Sequence, residues 1–215
     1  MARITARQVD DAGLADWRVL AGSLHARFRT GSFVAGLRLV TAVTELAEAA
    51  NHHPDVTLTY PHVDLELLSH DVGELTQRDL DLARQISDLA RSQGVEAQPA
   101  AVTALEVGLD TADSAAVGPF WAALLTGDPT GVDDDEVADP GGRLPPLWFQ
   151  GTEPHETPRQ RFHLDLWVAP EVAEGRIAAA VAAGGRVVDD SHAPSFTVLA
   201  DPDGNRACVC TSLER

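Results

Sequence analysis

Three histidines in the first half of the chain, His52, His53 and His70, are spaced so that their imidazoles could carry out acid–base chemistry. His52 is predicted to lie in the last turn of a helix, and Pro54 is predicted to turn His53 outward. His70 ends a predicted strand just before the turn Asp71-Val72-Gly73. An imidazole titrates near neutral pH, so it can give and take a proton under physiological conditions. Two or three such groups in one pocket could act as acid and base on the same substrate. The competing interpretations of a His-His pair are an exposed helix end and a zinc site, although no convincing carboxylate or cysteine ligand lies nearby.

The elements that must position these histidines are predicted to be short strands and two amphipathic helices. Ser32 is a suitable N-cap for a helix over 33–50, and Pro54 prevents that helix from continuing. The apolar residues of this helix recur at steps of three and four, which predicts one buried face made of Phe33, Leu37, Val40, Val43, Leu46 and Ala47. Strands are predicted over 17–20, 24–29, 56–60 and 62–69.

The second helix opens with a capping box, in which Thr76 is the N-cap and Asp79 lies three positions later. This local role accounts for Asp79 as a structural residue. The strand over 62–69 alternates apolar and polar residues, which predicts a sheet with one covered face and one polar face. Phe28 and Tyr60 are predicted to lie in the core. The first half is therefore predicted to be a small α+β domain.

The second half of the chain contains a repeat. A strand over 105–110 leads into a helix that runs to Gly127, and a strand over 163–168 leads into a helix that runs to Gly185. Further strands are predicted after each helix. The second half is therefore predicted to be a tandem pair of βαβββ modules that must combine to close one sheet.

A helix end and a proline separate the two halves. Gly94 can adopt the left-handed conformation that ends a helix, and Pro99 resists further helix. We therefore predict one domain over 1–96, a linker over 97–102 and a second domain over 103–215.

The composition excludes several classes of function. The formal net charge of −17 repels phosphate backbones and anionic lipid surfaces, so we expect neither nucleic acid nor membrane as a partner. The chain has no lysine, which excludes Schiff-base catalysis. Cys208 and Cys210 are two positions apart, too close for an ordinary disulfide, and are expected to be reduced. With no apolar run long enough to span a bilayer, we expect a cytoplasmic protein.

The wider pattern around the histidines resembles the signature of the pterin-4a-carbinolamine dehydratases. At intervals of three, five, nine and eight residues, it comprises Glu48, His52-His53-Pro54, Tyr60, His70 and Asp79. The resemblance covers roughly residues 10–92. It implies a four-stranded antiparallel sheet with helices on one face, and the loss of water from a 4a-hydroxytetrahydropterin to give quinonoid dihydropterin. It also implies that no metal or organic cofactor takes part.

The resemblance further implies roles for individual residues. His52 and His70 would be acid and base, in an order that the sequence does not fix, and His53 would orient the pterin. The positions that match the family's pterin-binding site are Asn51, Leu68, Ser69 and Asp71. Two further residues match the family pattern. Trp17 could lie at the edge of the pocket, and Glu48 could pair with His52. We expect the protein to be a homo-oligomer, either a dimer or a tetramer.

The second half resembles the glyoxalase-like branch of the vicinal oxygen chelate superfamily over about 103–213. The resemblance is carried by the segments 120–125, 161–166 and 199–205. Metal-using members hold one divalent ion with His and Glu side chains from several strands. Here Cys208 stands where a glutamate ligand often falls, and the first strand offers Thr103 or Glu106. His163 is the one candidate ligand in place, so we expect no conventional metal site and a binding or regulatory domain of unknown ligand.

Three hypotheses follow from the sequence. The first is a pterin dehydratase fused to a glyoxalase-like module. The second is a pterin-fold protein that binds or dimerises without catalysis. The third places the main activity in the second half, as a metal-dependent lyase or dioxygenase.

Overall fold

A computed structural model describes residues 4–126, 128–142, 144–153, 162–182, 185–200 and 206–214. The chain divides into two compact units. The first comprises Met1–Thr103, Val168–Val172 and Thr211–Arg215, and the second comprises Ala104–Trp167 and Ala173–Cys210. The predicted linker over 97–102 contains part of a short strand and a 3₁₀ turn, and the exact domain boundaries stay a prediction.

The first unit is built on an antiparallel sheet. Its strands are β1 (Arg18–Leu20), β2 (Ser23–Arg29), β3 (Asp55–Leu58), β4 (His62–Leu67) and the two-residue β5 (Glu96–Ala97). The order is β1-β2-β4-β3, and β5 pairs with the end of β2. The predicted four-stranded antiparallel core of the sheet is confirmed, and β5 is an addition that the sequence did not signal.

Three helices accompany this sheet: α1 (Ala6–Asp11), α2 (Phe33–Ala50) and α3 (Gln77–Ser92). Ser32 caps α2, and its hydroxyl accepts a hydrogen bond from the backbone N–H of Ala35. The capping box of Thr76 and Asp79 opens α3 as predicted. The alternation of β4 places Val63, Leu65 and Leu67 in the core, where they pack against buried residues of both long helices.

The helical periodicity of α2 predicted its buried face only in part. Phe33 and Leu37 are more than half exposed, whereas Gly36 and Leu39 are buried. The face of α2 that meets the sheet is therefore rotated from the predicted one at its N-terminal end. A Cβ built on Gly36 would lie 2.4 Å from Cδ1 of Leu58, so the glycine allows the helix to lie close against the sheet here.

Tyr60 was predicted to lie in the core, and this prediction is wrong. It lies in the turn between β3 and β4 and is 69% exposed. Phe28, in contrast, is fully buried as predicted.

The second unit contains a mixed seven-stranded sheet, ordered β10-β11-β12-β9-β6-β8-β7. The strands are β6 (Thr103–Thr111), β7 (Glu136–Val137), β8 (Leu147–Gly151), β9 (Phe162–Val168), β10 (Arg186–Asp189), β11 (Phe196–Ala200) and β12 (Arg206–Cys210). The helices α4 (Ser114–Thr126) and α5 (Pro170–Ala182) follow the first strand of each module. The predicted tandem arrangement, in which a strand, a helix and further strands occur twice within one sheet, is confirmed. In the described residues the first module has two strands after its helix, not the predicted three.

The core of the second unit lies between α4 and one face of the sheet. Leu109 of β6, Leu147 and Phe149 of β8, and Ala122 of α4 are buried together. Because side chains alternate along a strand, the residues between these positions face the opposite side. The predicted helix end at Gly127, and residues 161 and 201–205 of the segments that carry the glyoxalase-like resemblance, lie outside the described residues.

No helix in the described ranges is long and apolar enough to cross a lipid bilayer.

Candidate functional site

The end of α2 determines where the histidine pair points. Asn51 follows the last helical residue with φ 46° and ψ 44°, in the left-handed region that ends many helices. Its backbone N–H bonds to carbonyl groups of the last helical turn. The sequence predicted His52 in that turn, but His52 lies just beyond it. The change of chain direction at Asn51 directs the imidazole of His52 into the protein, where it is only 6% exposed.

His52 is held by a buried carboxylate. Its Nε2 lies 2.7 Å from Oδ1 of Asp79, which is completely buried. The other carboxylate oxygen of Asp79 accepts hydrogen bonds from the Ser69 hydroxyl at 2.6 Å and from the Thr76 backbone N–H at 2.7 Å. A carboxylate that accepts from one ring nitrogen fixes the tautomer and orientation of an imidazole. Asp79 therefore serves two purposes, as the helix cap and as the partner of His52.

His53 points the other way, towards solvent. Its side chain is 53% exposed, and its Nε2 lies 3.2 Å from Oε1 of Glu48. Glu48, which the sequence offered as a possible partner of His52, contacts His53 instead. The left-handed conformation of Asn51 turns His52 away from α2. The same turn brings His53 back beside Glu48 of that helix. Exposed pairs of this kind contribute little to stability.

His70 follows β4 and its side chain is 64% exposed. Its Nε2 lies 3.9 Å from Oδ2 of Asp55, the first residue of β3. Two carboxylates therefore connect the segment that carries His52 and His53 to the end of β4. Asp79 connects His52 to Ser69, and Asp55 lies beside His70. Both contacts lie where the segment after α2 runs beside the end of β4, and the meeting of the three imidazoles in one pocket stays a prediction.

Asp71 and Arg78 form an ion pair next to this region. The hydrogen bond from the Arg78 guanidinium lowers the pKa of Asp71 below its usual value, and the nearby charge of His52 acts in the same direction. The same contact raises the pKa of Arg78. Asp71 is exposed and therefore presents a carboxylate to solvent close to His52.

Two other predicted site residues lie mainly within the core. Trp17 is almost completely buried, its Nε1–H donates to the Ser87 hydroxyl at 3.1 Å, and its ring packs edge-on against Phe28. The structure therefore places Trp17 away from solvent, with its polar atom engaged. Leu68 is half-buried and packs against the same core.

Sequence reasoning missed Asp79, Asp55 and Arg78 as neighbours of the histidines. The capping box alone explains an aspartate at position 79, and a local pattern does not indicate its contact with His52. The signal that could have found it was the pattern that carried the resemblance, which already contained Asp79. Asp55 stands three residues after His52 and gave no separate signal.

In the second unit, His163 lies between two carboxylates. Its Nδ1 is 3.6 Å from Oδ1 of Asp110 and its Nε2 is 3.6 Å from Oδ1 of Asp165. Glu106 accepts a hydrogen bond from the Trp167 indole. Over the part of the chain that the structure describes, no three His, Cys, Asp or Glu side chains are grouped to hold a metal ion. Cys208 and Cys210 are reduced and occupy alternate positions of β12.

Comparison with known proteins gives a family for each unit. The family model "Pterin 4 alpha carbinolamine dehydratase" matches residues 2–89, and the model "Glyoxalase-like domain" matches residues 106–210.

Two curated relatives carry the name "Putative pterin-4-alpha-carbinolamine dehydratase". The one from Cyanothece sp. is 42% identical over 78 residues, which are 36% of this chain and 80% of that protein. The one from Acidobacterium capsulatum is 38% identical over 91 residues, 41% of this chain and 99% of that protein. A solved structure titled "transcriptional coactivator/pterin dehydratase", from Brucella melitensis, is 24% identical. The match covers 41% of this chain and 99% of that chain, with a TM-score of 0.39.

Proposed function

The chain belongs to the pterin-4a-carbinolamine dehydratase family through its N-terminal domain, and from that premise we propose that this domain dehydrates a 4a-hydroxytetrahydropterin. The product would be quinonoid dihydropterin, and the step would belong to the recycling of tetrahydropterin. The observation that carries the proposal is the buried pair of His52 and Asp79, with two exposed histidines in the same region.

The proposed chemistry needs one acid and one base. The acid donates a proton to the hydroxyl oxygen on C4a, and the C4a–O bond breaks as the lone pair of N5 forms a double bond to C4a. Water leaves, and the base then removes the proton from N5. Each well-placed acid or base contributes on the order of 10²- to 10⁴-fold in rate.

His52 and His70 are assigned to these two steps. Because Asp79 engages Nε2 of His52, Nδ1 is the ring nitrogen that would face the substrate. His70 is exposed and can exchange protons with solvent. The order of acid and base stays open, and the pH dependence of kcat for single variants would assign it.

The remaining residues are proposed to bind and orient the pterin. His53 and its partner Glu48 would contact the ring system from the solvent side. Asn51, Leu68 and Asp71 flank the histidines in the sequence. Ser69 would act through Asp79, because its hydroxyl already donates to that carboxylate. Trp17 would support the site only through the core.

The experiment is a kinetic assay with a 4a-hydroxytetrahydropterin on the full chain. We expect His52→Ala and His70→Ala each to lower kcat by about 10²- to 10⁴-fold. His62→Ala is the matched control, because His62 begins β4 and pairs with Asp64 on the polar face of the sheet. Equal, background-level rates in the parent and all variants would support the non-catalytic pterin-binding hypothesis instead.

The predicted homo-oligomer is part of the proposal. Phe33, Val34 and Leu37 of α2 and Tyr60 of the β3–β4 turn are largely exposed, and exposed apolar side chains often mark contacts with another protein. Light scattering on the purified chain should give the mass of a dimer or a tetramer, and a monomer at micromolar concentration would contradict this. The cytoplasmic location stays a prediction.

A further inference from the structure

Asp55 occupies an unusual place for an acidic residue. It is the first residue of β3, which lies at the edge of the first sheet. In the register of β3 and β4 it lies directly opposite Glu66. Aspartate is uncommon in strands, and like charges directly opposite each other on neighbouring strands are destabilising. An aspartate at this position therefore lowers the stability of the sheet.

The contacts of Asp55 show no structural benefit that would offset this cost. Its side chain caps none of the described helices and is 73% exposed. Glu66, in contrast, accepts a hydrogen bond at 2.7 Å from the Ser23 hydroxyl of β2. Among the described side chains, Asp55 forms its ion pair with His70. A residue that departs from the local rules of its element without a structural gain often marks a functional position.

The backbones that carry Asp55 and His70 are both held in place. Asp55 belongs to the ladder between β3 and β4. His70 lies in the turn after β4, where the backbone N–H groups of Val72 and Gly73 both donate to the carbonyl oxygen of Ser69 at 2.9 Å. Rotation of the two side chains is therefore enough to change the distance between the carboxylate and the imidazole.

The distance that these rotations would have to close is small. Nε2 of His70 lies 3.9 Å from Oδ2 of Asp55. A hydrogen bond to a charged partner is about 2.8 Å long, so a movement of about 1 Å would form one. The side chain of His70 is 64% exposed, which leaves room for this movement. Catalytic hydrogen bonds are often long in a free enzyme and tighten in its complex with the substrate.

A closed contact would resemble the one that Asp79 makes with His52. There too an aspartate lies at Nε2 of the imidazole, at a distance of 2.7 Å. A carboxylate at one ring nitrogen fixes the tautomer and the orientation of the ring, and leaves the other nitrogen for the substrate. In both histidines that other nitrogen is Nδ1.

We propose that Asp55 is a positioning residue for His70. Its carboxylate accepts a hydrogen bond from Nε2–H of His70 in the complex with the pterin, so that Nδ1 faces the substrate and transfers the proton. This role rests on the dehydration proposed above for the first domain. It gives the second of the two acid–base groups a carboxylate partner and leaves their order open.

The test compares kcat and KM of the full chain and its Asp55 variants with a 4a-hydroxytetrahydropterin. We expect Asp55→Ala to lower kcat about tenfold, the effect of one hydrogen bond to a charged group, and to change KM less than about twofold. Asp55→Glu should recover most of the lost kcat, because its longer side chain can still reach Nε2. Urea unfolding should show Asp55→Ala to be at least as stable as the parent, because the repulsion from Glu66 is removed.

Two further variants show whether the effect passes through His70. Thr57→Ala is the matched control, because Thr57 is exposed on the same face of β3, and it should have the kcat of the parent. In the His70→Ala background, the further change Asp55→Ala should alter kcat less than about twofold, because no imidazole is left to be positioned.

Three results would overturn the role of Asp55 and leave the dehydration intact. They are a parent-like kcat in Asp55→Ala, a raised KM with a parent-like kcat, and a loss of about tenfold that persists in the His70→Ala background. A parent chain that does not turn over the pterin would instead overturn the dehydration itself, and this role with it.

Discussion

Asp79 and His52 lie 27 positions apart in the sequence and meet in a buried hydrogen bond of 2.7 Å. The same aspartate closes the capping box of α3. The start of one helix and the residue after the end of another are thus joined through a single carboxylate. The local structure of α3 and the orientation of the proposed catalytic imidazole therefore depend on the same side chain.

Asp79→Asn should lower kcat for the pterin substrate by about 10²- to 10⁴-fold, because the amide cannot accept from both His52 and the cap donors. It should also lower the free energy of unfolding by about 1–3 kcal/mol, since a buried hydrogen bond is lost. Kinetics and urea unfolding measure the two effects. Asp81→Asn is the control on the exposed side of α3, where the carboxylate contacts only Gln77 and Arg84 among the described side chains. Parent-like kcat in Asp79→Asn would remove the aspartate from the proposed mechanism.

Two variants of Asn51 should show whether its side chain serves only to end helix α2 or also binds the pterin. Asn51→Ala should lower the free energy of unfolding by about 1–2 kcal/mol, because alanine resists the left-handed conformation that Asn51 adopts. Asn51→Gly should keep that conformation without strain. If the amide binds the pterin, both variants should raise KM. A normal KM in Asn51→Gly would assign Asn51 to the helix end alone.

Ser87→Ala tests the place of Trp17. The variant removes the acceptor of the buried indole N–H and should lower the free energy of unfolding by about 1–3 kcal/mol. KM for the pterin should not change. Ser92→Ala, near the exposed end of α3, should have a smaller effect on stability. A raised KM with unchanged stability would instead support the alternative that Trp17 lies at the edge of the pterin pocket.

His25 should make stability depend on pH. Burial lowers the pKa of His25 below its ordinary value, an effect that the nearby carboxylates of Glu66 and Asp64 only partly oppose. The unfolded chain therefore binds this proton first as the pH falls. The stability that neutral His25 contributes is complete above a pH of about 6.5 and is lost as the pH falls from there towards the lowered pKa.

His25→Gln should therefore lose less stability than the parent when the pH is lowered through this range. Urea unfolding at a series of pH values measures the difference. His192→Gln, at an exposed position of the second unit, should keep the pH dependence of the parent. If His25→Gln and the parent respond identically to pH, the burial of a neutral His25 is not the cause.

Local signals in the sequence predicted most of the first unit. Ser32, Thr76 and Asp79 are recognised by their positions at helix starts, and the alternation in β4 is a property of neighbouring residues. The exposure of Phe33 and Tyr60 could not be predicted from local sequence patterns. A periodic pattern shows that a helix has an apolar side, but which part of that side meets the sheet depends on the close approach at Gly36.

The sequence identified candidate histidines for the site, but it did not identify the carboxylates that pair with them. The three histidines were found because their spacing is unusual and resembles a family signature. Their carboxylate partners could not be predicted, because the pairing of His52 with Asp79 and not with Glu48 depends on the left-handed turn at Asn51 and on the packing of α2 against α3. In the second unit, the sequence singled out His163 but gave no indication that Gly108 lies under its ring.

The two-residue strand β5 matters for how the N-terminal half can be produced on its own. It covers Phe28 and Arg29 on the edge of β2 that β1 covers further along. A recombinant fragment that stops after α3 would leave this stretch of backbone open, and open strand edges recruit other chains. Any aggregate of such a fragment would reflect the cut and not the native assembly, so a truncation should extend at least through Ala101.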